Sequence, residues 1–316
     1  MNRSTTTQLA DGGTTTESGT GAASRQGASG GVAARVLDTV GRADRWLAAG
    51  LGVLAAALAA NTVLGPLIAD VIEYPFSESL VSQTIGLEAV TLVVVVPWCL
   101  AAAAFVLRGH RAGPLLAIPP TAYTVYMFVQ YVLGPQYVEY TPVVAFHLGI
   151  FALGWALLAL AWARTAPSSL PTLGRRRVRL TALGLLALAA FTATRYVDAL
   201  GGMATGGPLP AEYAADPTMY WSIVLLDLGV IVPIAVATAV GLLRGASWAR
   251  AAAYGVVGWF VLVPLSVAAM AVVMLANGDP NTTVGSVAVF AVVAGLFTLF
   301  AGWVYRPLFG SSTDGR

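Results

Sequence analysis

The sequence has no lysine, one cysteine and two histidines among its 316 residues, and each scarcity excludes a kind of chemistry. Without lysine a retinal-type Schiff base cannot form. Cys99 has no partner for an intramolecular disulfide, and no His, Cys or carboxylate spacing is typical of a zinc site. A haem held by two histidines would need His110, which lies in a polar connector. Phosphate-binding glycine motifs are absent as well, so we predict no metal and no cofactor.

Charged residues are also scarce, at 10% of the chain, whereas hydrophobic residues make up 57%. With a mean hydropathy of +0.76, the chain cannot bury its apolar surface in a water-soluble core. The lipid bilayer is therefore its expected partner. The 17 basic residues are all arginine and flank apolar runs in short blocks. This pattern indicates membrane topology and argues against nucleic-acid binding.

Eight apolar runs of membrane-spanning length follow one another from Arg45 onward. Each is close to or above the ~20 residues that a helix needs to cross a bilayer. The sequence therefore predicts an all-α polytopic transmembrane helical bundle in the cell (plasma) membrane. The predicted spans are Trp46–Leu67, Ser82–Leu107, Pro114–Leu133, Thr141–Ala163, Leu180–Leu200, Met219–Leu243, Trp248–Ala276 and Val284–Tyr305.

Polar segments divide the chain further. Residues 1–34 are rich in Thr, Gly and Ser, so we predict a disordered tail that carries no cleaved signal peptide. The other predicted segments are a first four-span half (35–165), an arginine-rich cytoplasmic connector (166–179), a second four-span half (180–307) and a short polar tail (308–316).

Arginine distribution predicts the orientation of the spans. Arginines such as Arg108, Arg111 and the cluster Arg175–Arg179 occupy the connectors of one side. The connectors of the other side carry acidic residues, and Arg195 is the exception there. By the positive-inside rule, both termini are predicted to be cytoplasmic.

An internal repeat is indicated by Pro97, which is followed eleven residues later by Arg108-Gly109, and by Pro233, which is followed at the same distance by Arg244-Gly245. Tandem four-span halves would share one orientation and be related by an axis along the membrane normal. A chain made largely of Ala, Leu, Val and Gly also matches itself by chance, so both interpretations stay open.

Ionisable residues inside predicted spans are the candidate functional residues, because burying them in lipid is costly. At 1.5 Å per residue, Glu88 and Asp227 lie about 9–12 Å below the acidic-side ends of their helices, and His147 and Arg195 about 8 Å. We therefore expect one polar pocket that opens to the non-cytoplasmic side. Its ligand- or proton-binding candidates are Glu88, Asp227, Gln83, Tyr126, Gln130, His147 and Arg195.

The candidate arginine also has a structural explanation. Arg195 and Asp198 are three residues apart near a helix end, which favours a local ion pair. Arg195 could instead pair with Asp227 and fix helix packing without any ligand.

Glu88 and His147 have structural alternatives too. Glu88 could be protonated and hydrogen-bonded to Tyr126 or Gln130 between helices. A lone histidine on an apolar face, such as His147, is more often a satisfied core residue than a ligand. The tyrosines could serve in packing and in an aromatic belt.

Spans two to four contain a series of motif residues, namely Glu78, Ser82-Gln83, Gly86-Leu87-Glu88, Pro97, Arg108-Gly109, Tyr123, Tyr126, Tyr131 and Gly134. This series resembles an uncharacterised family of prokaryotic multi-pass membrane proteins. In that family an acidic residue and Ser-Gln precede a Gly-x-Asp/Glu, and a tyrosine-rich helix follows. The resemblance links Glu88, Gln83 and Tyr126 as a set but implies no activity. Thr141-Pro142 and His147 stand where the family has an asparagine-and-aromatic segment.

Two classes of function follow from this pattern. The first is a small-solute or proton-coupled transporter, because carboxylates and tyrosines at one depth could bind a solute and exchange a proton. The second is a non-transporting sensor or scaffold that acts through its outer pocket or its arginine-rich face. A lipid- or quinone-modifying enzyme is a weaker third, since no acid–base pair is evident. The sequence predicts neither the substrate nor the oligomeric state.

Overall fold

We describe the protein from a computed structural model that covers residues 20–166 and 170–309, with side chains described for 41–166, 170–211 and 213–309. Within these residues the chain forms helices joined by short connectors and contains no strand. Seven helical stretches are long and apolar enough to cross a membrane. The predicted all-α polytopic helical bundle is therefore confirmed.

Within the described residues the chain divides into two units between Ala43 and Asp44. The first helix, α1 (Thr20–Leu64), begins in the first unit. It overlaps residues 20–34 of the segment predicted to be disordered, while residues 1–19 lie outside the described residues. The helix ends at Leu64 because Gly65-Pro66 follows, and the residue before a proline disfavours helical geometry.

Ten further helices follow, and each predicted span coincides with one helix or with two consecutive ones. The fifth span differs most from its prediction, because its helix ends at Thr194 and the chain turns at Arg195-Tyr196. These helices are α2 (Glu78–Val90), α3 (Val96–Leu107), α4 (Gly113–Leu133), α5 (Pro142–Arg164), α6 (Arg175–Thr194), α7 (Val197–Thr205), α8 (Pro217–Leu226), α9 (Val232–Leu243), α10 (Ser247–Ala276) and α11 (Val284–Phe309).

The predicted third span is the one that is not among the seven apolar stretches. Its helix, α4, has 21 residues and is long enough to span, but three prolines and several tyrosines and threonines lower its hydropathy. It packs against α3, α5 and α10, so protein covers much of its surface. A central helix needs less apolar surface than one that faces lipid. The count of eight spans stays a prediction that depends on α4.

Two helices contain a π turn at matching places, and this supports the duplication over a chance match. Thr91–Val95 joins α2 to α3, and Asp227–Ile231 joins α8 to α9. A proline follows each turn at the second position of a 12-residue helix, and the π turn makes room for a ring that would crowd the carbonyl four residues earlier. Gly109 and Gly245 then adopt left-handed backbone geometry, with φ of 63° and 74°.

Helix packing repeats in the same way. In the first half α3 packs on α4 and α4 on α5, and in the second half α9 packs on α10 and α10 on α11. The contact of α2 with α10 corresponds to that of α8 with α4, and α4 and α10 pack on each other. These exchanged pairs are what a two-fold relation between the halves produces. The direction of that axis relative to a membrane stays a prediction.

Candidate functional site

A cavity of about 290 Å³ lies between α2, α4, α8, α10 and the start of α11. It contains polar groups from separate parts of the chain and a largely apolar wall. Five of the seven predicted site residues line it, namely Gln83, Tyr126, Gln130, Arg195 and Asp227. The cavity is thus the place where most of the candidate residues meet.

Methionine dominates the apolar wall of this cavity. Met127, Met219, Met270 and Met274 line it, although the whole chain has only 6 methionines. Their unbranched thioether side chains adapt to ligands of different shape, and such walls occur at permissive binding surfaces. An apolar pocket with a few convergent polar groups is the usual form of a small-molecule site.

Asp227 is the most strongly held polar group of the cavity. It is 4% exposed and begins the second π turn. The hydroxyl of Tyr126 donates to one of its carboxylate oxygens at 2.6 Å, and the hydroxyl of Tyr196 donates to the other at 2.5 Å. Short hydrogen bonds to a carboxylate are among the strongest in proteins. Asp227 therefore ties α8 and its π turn to α4 and to the α6–α7 turn.

Arg195 lies beside Asp227 without forming either of the expected ion pairs. It lines the cavity as the residue that ends α6. Neither Asp198 nor Asp227 lies within 4.0 Å of its guanidinium among the residues that the structure describes. The two structural explanations for Arg195 are wrong, because α6 ends at Thr194 and Tyr196 takes the place of an arginine partner on Asp227.

Glu88 does not line this cavity. It is 1% exposed and faces the end of α1, where the backbone N–H of Leu67 donates to Oε2 at 3.4 Å. The expected hydrogen bond to Tyr126 or Gln130 does not occur among the described side chains, since Tyr126 donates to Asp227 instead. The other oxygen, Oε1, has no hydrogen-bond partner within the described part of the chain. The prediction that Glu88 forms a wall of the pocket is therefore wrong.

A tight contact with the backbone explains where the Glu88 side chain lies. A Cβ added to Gly65 would be 2.3 Å from Oε1 of Glu88, so the glycine makes room for the carboxylate. Tyr74, from the connector after α1, lies close by. Burial first, and then the charge of Glu88, raise the pKa of the Tyr74 hydroxyl above its usual value.

His147 belongs to the Glu88 side of the bundle and is fully buried. Its Nε2 is 2.9 Å from Oδ1 of Asn61 in α1. Its ring stacks on Tyr74, with centroids 5.9 Å apart, and touches the ring of Tyr131 at 5.3 Å. These contacts make His147 a core residue with one satisfied ring nitrogen, because Nδ1 is buried and has no hydrogen-bond partner among the described residues.

Sequence reasoning missed three residues of these two clusters. Asn61 was detectable as an amide inside the first apolar run, because such residues need a partner in lipid. Tyr74 and Tyr196 lie next to span ends, where a tyrosine ordinarily indicates the membrane interface. Their inward direction depends on the packing of the connectors, which periodicity does not report.

No group of three or more His, Cys, Asp or Glu side chains that could hold a metal ion occurs among the described residues. The polar groups that line the cavity are a carboxylate, a guanidinium, three phenols, three amides and three aliphatic hydroxyls. These groups can bind a polar or charged ligand group and exchange a proton.

Comparisons with protein-family models, with curated proteins and with solved structures found no match. The resemblance of spans two to four to a prokaryotic family stays a prediction, and the site is interpreted from its own geometry.

Proposed function

We propose that the protein is a transporter that binds a small amphipathic solute in the methionine-lined cavity and exchanges a proton at Asp227. The observation that carries the proposal is the position of Asp227, a buried carboxylate that lines the cavity at a π turn in a membrane-spanning helix. Ionisable residues inside membrane spans commonly belong to substrate or proton pathways. A π turn at a functional residue is consistent with the same role.

The proton-exchange step depends on the two tyrosines. With both hydroxyls donating, the carboxylate of Asp227 is held as a hydrogen-bond acceptor. A solute that displaces one hydroxyl would free one carboxylate oxygen of Asp227, the atom at which we propose that the proton binds. Solute binding and proton binding are then coupled through one carboxylate.

The proposal includes a location and an orientation. The protein would lie in the plasma membrane with both termini in the cytoplasm, as its arginine connectors predict. The cavity would then open near the non-cytoplasmic side, where Asn281 and Thr282 line it next to the connector before α11.

Uptake into proteoliposomes tests the transporter. We would follow 4-butylbenzenesulfonate and 4-butylphenyltrimethylammonium, which share one apolar body and carry permanent opposite charges, together with an internal pH dye. Wild-type protein should transport one of the two solutes together with protons. Asp227→Asn should reduce the solute flux and the proton flux about tenfold or more. Asp198→Asn, at an exposed position, is the matched control. Equal fluxes for wild type and Asp227→Asn would refute the proposal.

A scaffold that binds anionic lipid headgroups is the second candidate, because three arginines converge at the predicted cytoplasmic end. Arg111, Arg177 and Arg250 all lie close enough to Tyr254 to act on it electrostatically. Arg177 also lies over the ring of Trp303, 4.6 Å from its centre, and donates to the Trp303 carbonyl. Basic pockets between helices bind such headgroups. Binding to anionic liposomes that Arg250→Gln leaves unchanged would count against this role.

A further inference from the structure

A second, smaller crevice adjoins the cavity at its charged end. It has a volume of about 40 Å³ and lies between α6, α10 and α11. Arg195, Asp227, Val263, Val267 and Phe290 line both spaces, so the two meet at the arginine and the aspartate.

The wall of this crevice is apolar beyond the junction. Apart from Thr192, Arg195 and Asp227, it consists of hydrocarbon and aromatic side chains, among them Phe191, Pro264 and Phe297. A polar solute arriving from water would lose its hydration there and gain few hydrogen bonds, which is costly. The hydrocarbon part of a lipid-dissolved molecule loses nothing in the same place.

The crevice lies behind a gap between two helices. In the described part of the chain the backbones of α6 and α11 seldom approach each other, because α6 packs mainly on α9 and α11 on α10. Long side chains bridge the gap at Arg177–Trp303 and where Phe300 covers Gly184. Beside the crevice the bridge is an aromatic pair, in which the rings of Phe191 and Phe297 are 5.8 Å apart and meet edge to face at 87°. Phe191 is 37% exposed. Phe191 and Phe297 both lie within candidate membrane spans, so the pair lies at the depth of the bilayer.

Charge at the junction selects the ligand. Both carboxylate oxygens of Asp227 already accept tyrosine hydroxyls, whereas the Arg195 guanidinium forms no ion pair among the described residues. The guanidinium of Arg195 is therefore the charged group at the junction whose hydrogen-bond donors are open to a ligand. A planar guanidinium fork binds a carboxylate, sulfonate or phosphate group through paired, charge-assisted hydrogen bonds.

We propose that the ligand is an amphipathic anion that reaches the cavity sideways from the bilayer, between Phe191 and Phe297, and binds through its charged group to Arg195. The inference rests on the proposed solute-binding function and adds the ligand class and the route. The apolar body of the ligand would occupy the methionine-lined cavity.

The route is tested by cross-linking in nanodiscs. In a Cys99→Ala background, Phe191→Cys and Phe297→Cys would be joined by a short bifunctional thiol reagent, and binding of 4-butylbenzenesulfonate would be timed. Cross-linking should slow association about tenfold, and reduction should restore it. Phe191→Cys alone with the same reagent is the control. In the opposite direction, Phe191→Ala with Phe297→Ala should speed association.

The anion assignment has its own test. Arg195→Gln should weaken binding of 4-butylbenzenesulfonate about tenfold or more and leave 4-butylphenyltrimethylammonium unchanged. Tighter binding of the cation by wild-type protein would overturn the assignment. Cross-linked protein is compared with uncross-linked protein that binds the anion in an Asp227-dependent way. If the association rate is the same in both, the lateral route is overturned and the proposed function stands. Loss of Asp227 dependence would instead refute the function itself.

Discussion

Gly65 leaves space for the buried carboxylate of Glu88, so adding one methyl group at Gly65 should disturb that carboxylate. A Cβ there would be 2.3 Å from Oε1 and 2.7 Å from Oε2 of Glu88. We expect Gly65→Ala to lower the free energy of unfolding by about 1–3 kcal/mol, since the carboxylate must move within a packed region. Thermal unfolding in nanodiscs measures the loss.

Gly52 provides the matched control for that substitution. It lies within α1 and has nothing within 4 Å of an added Cβ. Gly52→Ala should be neutral or stabilising by up to about 1 kcal/mol, because alanine is the better helix former. An equal loss of stability for both variants would contradict the account of Gly65.

Tyr74 links pH to stability. Burial, followed by the charge of Glu88, raises the pKa of its hydroxyl above the usual 10.0. The unfolded chain therefore loses this proton at lower pH than the folded chain. The contribution of the Tyr74 hydroxyl to the free energy of unfolding is unchanged below pH 10 and becomes unfavourable as pH rises further, so that stability falls. For one tyrosine the slope reaches about 1.4 kcal/mol per pH unit.

Tyr74→Phe should reduce this alkaline fall, as measured by unfolding between pH 8 and 12 in nanodiscs. Tyr140→Phe, at an exposed position, serves as the control. Identical pH profiles for wild type and Tyr74→Phe would show that the hydroxyl of Tyr74 does not carry the effect.

At the scale of the helix, Pro233 fixes the direction in which Asp227 points. The π turn Asp227–Ile231 accommodates the proline ring, and without that ring regular α-helical hydrogen bonds become available. Each residue of register rotates a helix by about 100°, so closing the π turn would turn Asp227 relative to its tyrosines.

Pro233→Ala should weaken binding of 4-butylbenzenesulfonate about 10- to 100-fold while the protein stays folded. Pro97→Ala is the comparison variant, because its π turn begins at Thr91, which does not line the cavity, while α2 before the turn carries Gln83. We expect its affinity to fall less than that of Pro233→Ala, since no charged group of the cavity lies at that turn. Equal losses in both variants would indicate a general effect of helix bending.

Helix breaks mark the limit of what the sequence could predict at this scale. Length and hydropathy located the long helices from Glu78 onward, because long apolar runs have few other solutions in a bilayer. They did not report that the fifth span stops at Arg195, nor that Glu88 and Asp227 face different neighbours. A one-residue π insertion rotates everything beyond it, and hydropathy averaged over a span cannot detect that.

At the scale of the molecule, the predicted orientation can be tested by labelling. In the Cys99→Ala background, a cysteine at Tyr140, in the connector before α5, should react with a membrane-impermeant maleimide added to intact cells. A cysteine at Ser247, at the start of α10, should react only after permeabilisation. Both positions are exposed. The reverse pattern would place the termini outside and the cavity mouth inside.

The candidate site was predictable in composition and only partly in arrangement. Asp227, Arg195, Gln83, Gln130 and Tyr126 meet at one cavity because depth along a helix follows from counting residues. Glu88 and His147 have the right depth and lie on the other side of Tyr131, near α1. Helix rotation separates the two groups, and rotation depends on packing partners that the sequence does not name.

The paired π turns also suggest an ancestry. Thr91 and Asp227 both begin such a turn six residues before a proline. Each bonds to a tyrosine, at 3.3 Å to Tyr123 and at 2.6 Å to Tyr126, although the exchanged packing would place the partner of Thr91 on α10 and both tyrosines lie on α4. If one ancestral unit was copied, the copies kept the same backbone and diverged at this residue. One inherited a hydroxyl that only holds helices together, and the other a carboxylate that can do chemistry.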